Sequence, residues 1–366
     1  MNQSRYEPVV AEIRRFARRE VEPGALDADL ASDRTFTRSV WDRAGSLDLP
    51  GLLVPEEYGG AGEDMLLAAL TTHALAGCCA GIASVFATHF AACAAVGAAG
   101  AWETCAGFAE GPLALVLPDP WQSAPVEIKR RNGRIVLDGT TTLTGNAHLA
   151  AAFVVFARDG EDLALILAIP GDNGLAVEPR AHLPGLKVNP FARLGFNGID
   201  LAPERVLAIG DTARRALEQA RNTHLGCVAA AATGCARTAM EKSREWAEGR
   251  YQFGNVIIHH TEIRRMLGNM ETRVACGIAA WTAALAPDAP VVPGARCTAS
   301  QAKVACTADA EAVATDAVQI HGGYGYMHEY GVEKILRDAK VLRVLGGTEG
   351  ELLVDMVTPR APDERA

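Results

Sequence analysis

The sequence predicts an α+β chain built as three consecutive blocks: helices over residues 1–110, a small β domain over 111–205 and a helical bundle over 206–366. Three observations carry that prediction. Apolar residues recur at helical spacing in the first block, as in Val10, Ile13, Phe16, Ala17 and Val21. Between Leu113 and Leu201 the texture changes to short apolar or β-branched runs, bounded by turn signals at Asn132-Gly133, Asp159-Gly160 and Asp172-Asn173-Gly174. From Thr212 onward, proline-free segments with helical spacing return over 212–249, 259–285 and 296–320.

In the first helix, Val9 to Val21, the residues Arg14, Arg15, Arg18 and Arg19 lie largely opposite the apolar stripe and read as a solvated face. Phe36 to Leu47 is a second amphipathic helix. Gly51 to Asp64 reads as an ordered loop, because Val54 is pushed to extended backbone by Pro55 and Gly59, Gly60 and Gly62 break any helix. Residues 65–107 return to helix and contain His73 and His89. The stretch from Ala74 to Gly100 is rich in Ala, Gly and Cys and reads as a tightly packed helix pair rather than a membrane span. The small residues around 85–95 and 224–235 are compatible with a roomy pocket and equally with close helix packing. Strands are expected at 113–117, 134–138, 152–156, 163–168 and 194–201, forming a small antiparallel sheet or barrel. Pro287, Pro290 and Pro293 punctuate a turn between the long C-terminal helices.

Composition narrows the function classes. Nearly half the residues are hydrophobic and 22% are charged, as in a globular chain. The net charge of −9 with no basic face argues against nucleic acid. The N-terminus shows no signal-peptide pattern, so a cytoplasmic, membrane-free protein is expected. Nine cysteines without a C-x-x-C pair read as small buried hydrophobes in a reducing compartment, not as disulfides or metal ligands.

Near the C-terminus stands Gln319-x-x-Gly322-Gly323-Tyr324-Gly325-Tyr326, followed by a helix bearing Arg337-Asp338 and then Gly347-Thr348. Upstream are Leu52-Leu53-Val54-Pro55-Glu56-Glu57-Tyr58-Gly59-Gly60, Asn146-Ala147 and Arg250-x-x-Phe253-Gly254. Together, and in this order, these motifs resemble those of the flavin-dependent acyl-CoA dehydrogenases over essentially the whole chain. The resemblance implies an N-terminal helical domain, a middle β domain and a C-terminal helical bundle. It also implies FAD as cofactor, an acyl-CoA or acyl-carrier thioester as substrate, and a tetramer, either a homotetramer or a heterotetramer with a related subunit. An electron-transfer partner is compatible with it.

In that family FAD lies between subunits. Carried onto this chain, Arg250, Gln252, Phe253, Gln319, Gly322 and Gly323 would hold a neighbour's cofactor, with Arg250 giving a permanent charge to a diphosphate and the glycines offering backbone N–H groups. Thr348, Ser123 and Thr144 would belong to the cofactor site as well. The flavin-ring end departs from the pattern. Where the family has Thr-Glu-Pro-x-x-Gly-Ser-Asp, this chain has Leu117-Pro118-Asp119-Pro120-Trp121-Gln122-Ser123. The family's Trp-Ile-Thr-Asn is replaced by Leu143-Thr144-Gly145-Asn146, leaving Thr144 and Trp121 as the available stand-ins.

The catalytic base departs furthest. The family's usual Glu falls on Gly346, which has no side chain to take a proton. Glu349 and Glu351 lie out of register and read as solvated. Some members carry the base on the helix preceding Arg-x-x-Phe-Gly, twenty-nine residues ahead of the Phe, and here that position is His224. A histidine can act as base near neutral pH. The Arg that usually follows is Leu225, with Arg221 one turn earlier as a replacement. Three functions follow: α,β-dehydrogenation of an acyl thioester with His224 as base, a non-oxidative elimination on an acyl-CoA, or a non-catalytic subunit that supports a partner's FAD.

Overall fold

The computed structural model describes residues 5–105, 111–118, 125–131, 134–286 and 297–358. Asp119 to Ser123, the Asn132-Gly133 turn and the three prolines between the long helices lie outside the described residues.

Helix α1 (Glu7–Phe16) continues into α2 (Glu22–Ala31) through a widened turn at Ala17–Val21, where the Glu22 N–H donates to the Ala17 carbonyl. Pro23 accounts for the widening. It has no N–H to give the Arg19 carbonyl, and its ring would strike that carbonyl in a regular helix. Helix α3 (Arg34–Ala44) is capped by Asp33, which accepts from the Thr35 N–H at 2.8 Å. Asp64 caps α4 (Met65–Ala76) in the same way, and α5 (Ala80–Ala98) and the short α6 (Trp102–Cys105) follow. By length and composition α5 could cross a membrane, but 89% of its apolar window is buried inside the fold, which makes it a core helix.

The β domain holds β1 (Leu113–Val116), β2 (Glu127–Arg131), β3 (Arg134–Thr140), β4 (Ala152–Asp159), β5 (Asp162–Ala168), β6 (Leu175–Val177), β7 (Leu194–Leu201) and β8 (Val206–Ile209). They form one eight-stranded sheet in the order β6-β7-β3-β2-β4-β5-β8, with β1 also on β4. The sheet is mixed rather than antiparallel, because β1 and β2 both run parallel to β4. The reason lies in burial. Phe153 and Val155 face the sheet's own core, while Val154 and Phe156 pack against Ala91, Ala92, Ala216 and Ala220 of the flanking helices. A strand covered on both faces reads as a continuous apolar run and can accept parallel neighbours.

The C-terminal bundle comprises α7 (Asp211–Gly249), α8 (Thr261–Leu285), α9 (Ala299–His321), α10 (Val332–Leu342) and α11 (Glu349–Val357), with a hairpin of β9 (Tyr251–Gln252) and β10 (Asn255–Val256) after α7. The small residues of α7 serve close packing: a Cβ at Gly234 would lie 2.4 Å from the His73 carbonyl oxygen of α4. One polar clasp ties the three blocks together. Arg337 on α10 donates to Asp29 on α2 at 2.7 Å and to the Pro184 carbonyl at 2.6 Å, while Asp338 accepts from the Leu186 N–H at 2.6 Å and from Lys334 at 2.6 Å. The Arg337-Asp338 pair is therefore a structural joint, and it fixes α10 against the β domain.

Candidate functional site

Where the β domain, α5, α7, α10 and α11 meet there is a cavity of about 830 Å³. The β domain contributes Leu115 to Pro118 and Thr141 to Gly145, and the turn between α10 and α11 contributes Val344 to Gly347. From α7 come Arg221 and His224, and from α5 only Thr88. The small residues of α5 and α7 thus line helix contacts, not a wide pocket.

His224 is buried, and neither ring nitrogen has a hydrogen-bond partner among the described residues. Burial pushes its pKa down to about 4, with the positive charge of Lys303 acting in the same direction, so the imidazole is neutral at pH 7. Gly346 sits directly opposite. A Cβ built on it would lie 3.2 Å from His224 Nδ1 and 3.1 Å from Leu225 Cδ2. Positions 224 and 346 are therefore in contact at one wall of the cavity, and a side chain at 346 would press on the imidazole.

The other predicted residues divide by location. Thr144 is buried on the cavity wall, where its hydroxyl donates toward Thr141 Oγ1 at 3.2 Å. Arg221 is at the mouth, 3.5 Å from Asp355. Leu225 packs against the Gly346 turn and into a small cluster with Ala299 and Leu352. Thr348 caps α11: its hydroxyl accepts from the Glu351 N–H at 3.3 Å, and Glu351 accepts back from the Thr348 N–H at 2.7 Å. Glu349 pairs with Arg343 instead of standing free in solvent, and Glu351 is committed to the cap while touching the rim of the cavity. Ser123 lies outside the described residues.

Arg250, Gln252, Phe253, Gln319, Gly322 and Gly323 gather elsewhere. Arg250 caps the far end of α7, 250 − 224 = 26 residues beyond His224, about 39 Å along the helix axis. Its guanidinium lies 5.2 Å over the Tyr324 ring and 5.8 Å over Trp246, and no carboxylate pairs with it among the described residues. Trp246 in turn stacks on His321, with ring centroids 5.1 Å apart. Phe253 is 94% exposed, and Gln319, Gly322 and Gly323 are exposed as well. A Cβ at Gly322 or Gly323 would meet nothing within 4 Å, so the backbone there is open to an incoming group. A permanent cation held on aromatic faces beside open glycine backbone fits a diphosphate. The cavity with its threonine-rich rim has the volume and mixed polarity that a flavin ring needs. Sequence reasoning missed Lys303, which looks like a solvated lysine on an alanine-rich helix but is fully buried behind the Gly346 turn.

Comparisons with known proteins agree with this layout. The acyl-CoA dehydrogenase N-terminal domain matches residues 5–105, and the C-terminal domain of the same family matches residues 211–359. An acyl-CoA dehydrogenase of Bacillus subtilis is 29% identical over 359 residues, covering 92% of each chain. A cyclohex-1-ene-1-carbonyl-CoA dehydrogenase of Geobacter metallireducens is 28% identical over 371 residues, covering 95% of each. A solved glutaryl-CoA dehydrogenase of Mycobacterium smegmatis, in complex with FADH2, shares the fold with a TM-score of 0.84 at 17% identity, over 99% of this chain and 96% of that one.

Proposed function

Because the chain belongs to the acyl-CoA dehydrogenase family, we propose that it removes hydrogen from the α and β carbons of an acyl thioester, with His224 as the base. One observation carries this reading: a neutral imidazole, with both nitrogens free of partners among the described residues, faces a cavity at the point where the usual carboxylate is replaced by Gly346. Buried polar groups are almost always satisfied. An imidazole left without partners, in a cavity, is free to hydrogen-bond or deprotonate whatever enters.

FAD, once bound, supplies the acceptor for the two electrons that leave with the β-hydrogen. The residues of this chain do the rest. The threonine-rich rim at 141–145 orients the ring system, the apolar wall around Leu115, Phe191 and Val341 excludes water from the acyl chain, and His224 takes the α-proton on a ring nitrogen. Arg250 is too far along α7 to serve the cavity of its own chain, which supports a role on a second subunit's cofactor and hence an assembly of two or more chains. Nine free thiols, six of them buried, fit a reducing compartment.

The test is the flavin content and assembly mass of the chain expressed alone, followed by anaerobic addition of acyl-CoAs of increasing length. One FAD per chain, bleached by at least one acyl-CoA, is the expected result. Flavin that never bleaches would favour the elimination reading. Colourless protein that gains flavin only beside a related chain would make this the supporting subunit.

A further inference from the structure

Lys303, on α9, is fully buried, and no carboxylate lies within ion-pair distance of it among the described residues. Burying an ammonium without a counter-ion is costly unless its protons are used. Two of them are: Nζ donates to the Arg343 carbonyl at 2.7 Å and to the Gly347 carbonyl at 2.6 Å. Those carbonyls bracket the turn that carries Gly346. Arg343 closes α10 and Gly347 precedes the cap of α11. Within the turn, Gly346 and Gly347 have φ of +78° and +120°, and the Gly347 N–H makes only a single local bond, to Val344 at 3.2 Å. A turn with two successive positive φ values needs outside support to hold one shape.

We propose that Lys303 is a positioning residue of the site: its ammonium ties both ends of the 343–347 turn and so sets the wall that His224 faces. The inference rests on the reading of His224 as base. A second consequence follows from placement. The charge of Lys303 acts on His224 and disfavours its protonation. Burial, with Arg343 acting in the same direction, pulls the Lys303 pKa down to about 8, while Glu349 and Glu351 on α11 push it back up, so the ammonium still predominates at pH 7. Arg221, one turn along α7, and Lys340 and Asp355 complete the charged groups around the cavity.

The test compares Lys303→Met and Lys303→Arg in the full, flavin-loaded chain. The readouts are kcat and KM, and the imidazole titration of His224 followed by NMR and assigned with His224→Gln. Lys303→Met is expected to lower kcat about ten- to a hundredfold, with a smaller change in KM. It should also raise the His224 midpoint. Lys303→Arg, which keeps the cation, should hold that midpoint near the wild-type value and recover part of kcat. A folded Lys303→Met protein with unchanged kcat and an unmoved midpoint would overturn the proposal. If Lys303→Met does not fold, the Arg variant decides, since a raised midpoint despite the retained cation would overturn it. The titration needs no turnover. A raised midpoint in Lys303→Met, combined with full activity in His224→Ala, would therefore uphold the role of Lys303 while refuting the base.

Discussion

His89 and His224 are each 6% exposed, and burial pushes both pKa values down to about 4. Their surroundings are otherwise opposite. His89 Nε2 donates to the Pro50 carbonyl at 2.8 Å, and its Nδ1 accepts from the Leu113 N–H at 3.0 Å. The ring also stands edge-on to Trp41, with centroids 4.9 Å apart. That histidine joins the loop before Gly51, helix α5 and strand β1, and nothing about it is left over for chemistry. His224 has no partner on either nitrogen among the described residues and looks into open volume. Depth and titration alone would rank the two alike. What separates a structural histidine from a working one is where its two nitrogens go.

The sharpest way to break the comparison is to remove the satisfied ring. His89→Leu leaves the Pro50 carbonyl and the Leu113 N–H buried and unpaired, and should cost about 3 kcal/mol in urea denaturation. His224→Leu buries no new unpaired group and should cost far less. Equal losses would mean that the two sites are alike after all.

Acid tests the feature they share. For His73, His89 and His224 the folded pKa is about 4 against 6.5 for the free group, so between those values the unfolded chain binds more protons than the folded one. Stability is therefore complete above about pH 6.5 and falls as pH drops toward 4. Each histidine contributes at most about 2 kcal/mol of that loss by pH 5. The urea midpoint should drop on going from pH 7 to pH 5, and less steeply in His89→Leu or His224→Leu.

Much of this was legible in the sequence. Helical spacing and turn signals gave the three blocks, whereas His224 was named only by the resemblance to the family, carried over from Phe253, and the structure puts it on the cavity wall. Other features were hidden for identifiable reasons. Strand β2 reads Glu127-Ile128-Lys129-Arg130-Arg131, a charged run with none of the apolar signal of a central strand, although it lies between β3 and β4. Helix α2 was masked by Pro23 and Gly24 at its start. That Gly346 meets His224 depends on how the α10–α11 turn folds back onto α7, a contact between positions 122 residues apart (346 − 224) that no local pattern encodes. Lys303 carried no sequence signal, because a lysine on an alanine-rich helix is ordinarily solvated.

Two smaller effects refine the picture of His224. Gly346→Ala places a methyl 3.2 Å from Nδ1 on a residue with φ +78°, and should cost about 1 kcal/mol in stability while narrowing the cavity at the imidazole. A loss of acyl-CoA affinity without a change in FAD content would locate the substrate there. Asp355→Asn breaks the exposed 3.5 Å pair with Arg221 at the mouth and should change stability by less than about 0.5 kcal/mol. A larger change in the thermal midpoint would mean that the mouth, not the buried ring, organises this region.

The most direct test of His224 as base is exchange of the α-hydrogen of a bound acyl-CoA with deuterated water, read by mass spectrometry under anaerobic conditions. If His224 takes the α-proton, the wild-type protein washes deuterium into the α-carbon, and His224→Ala, folded and still flavin-loaded, does so about 10²- to 10⁴-fold more slowly. Exchange at the wild-type rate in His224→Ala would contradict the assignment and send the search for the base elsewhere on the cavity wall.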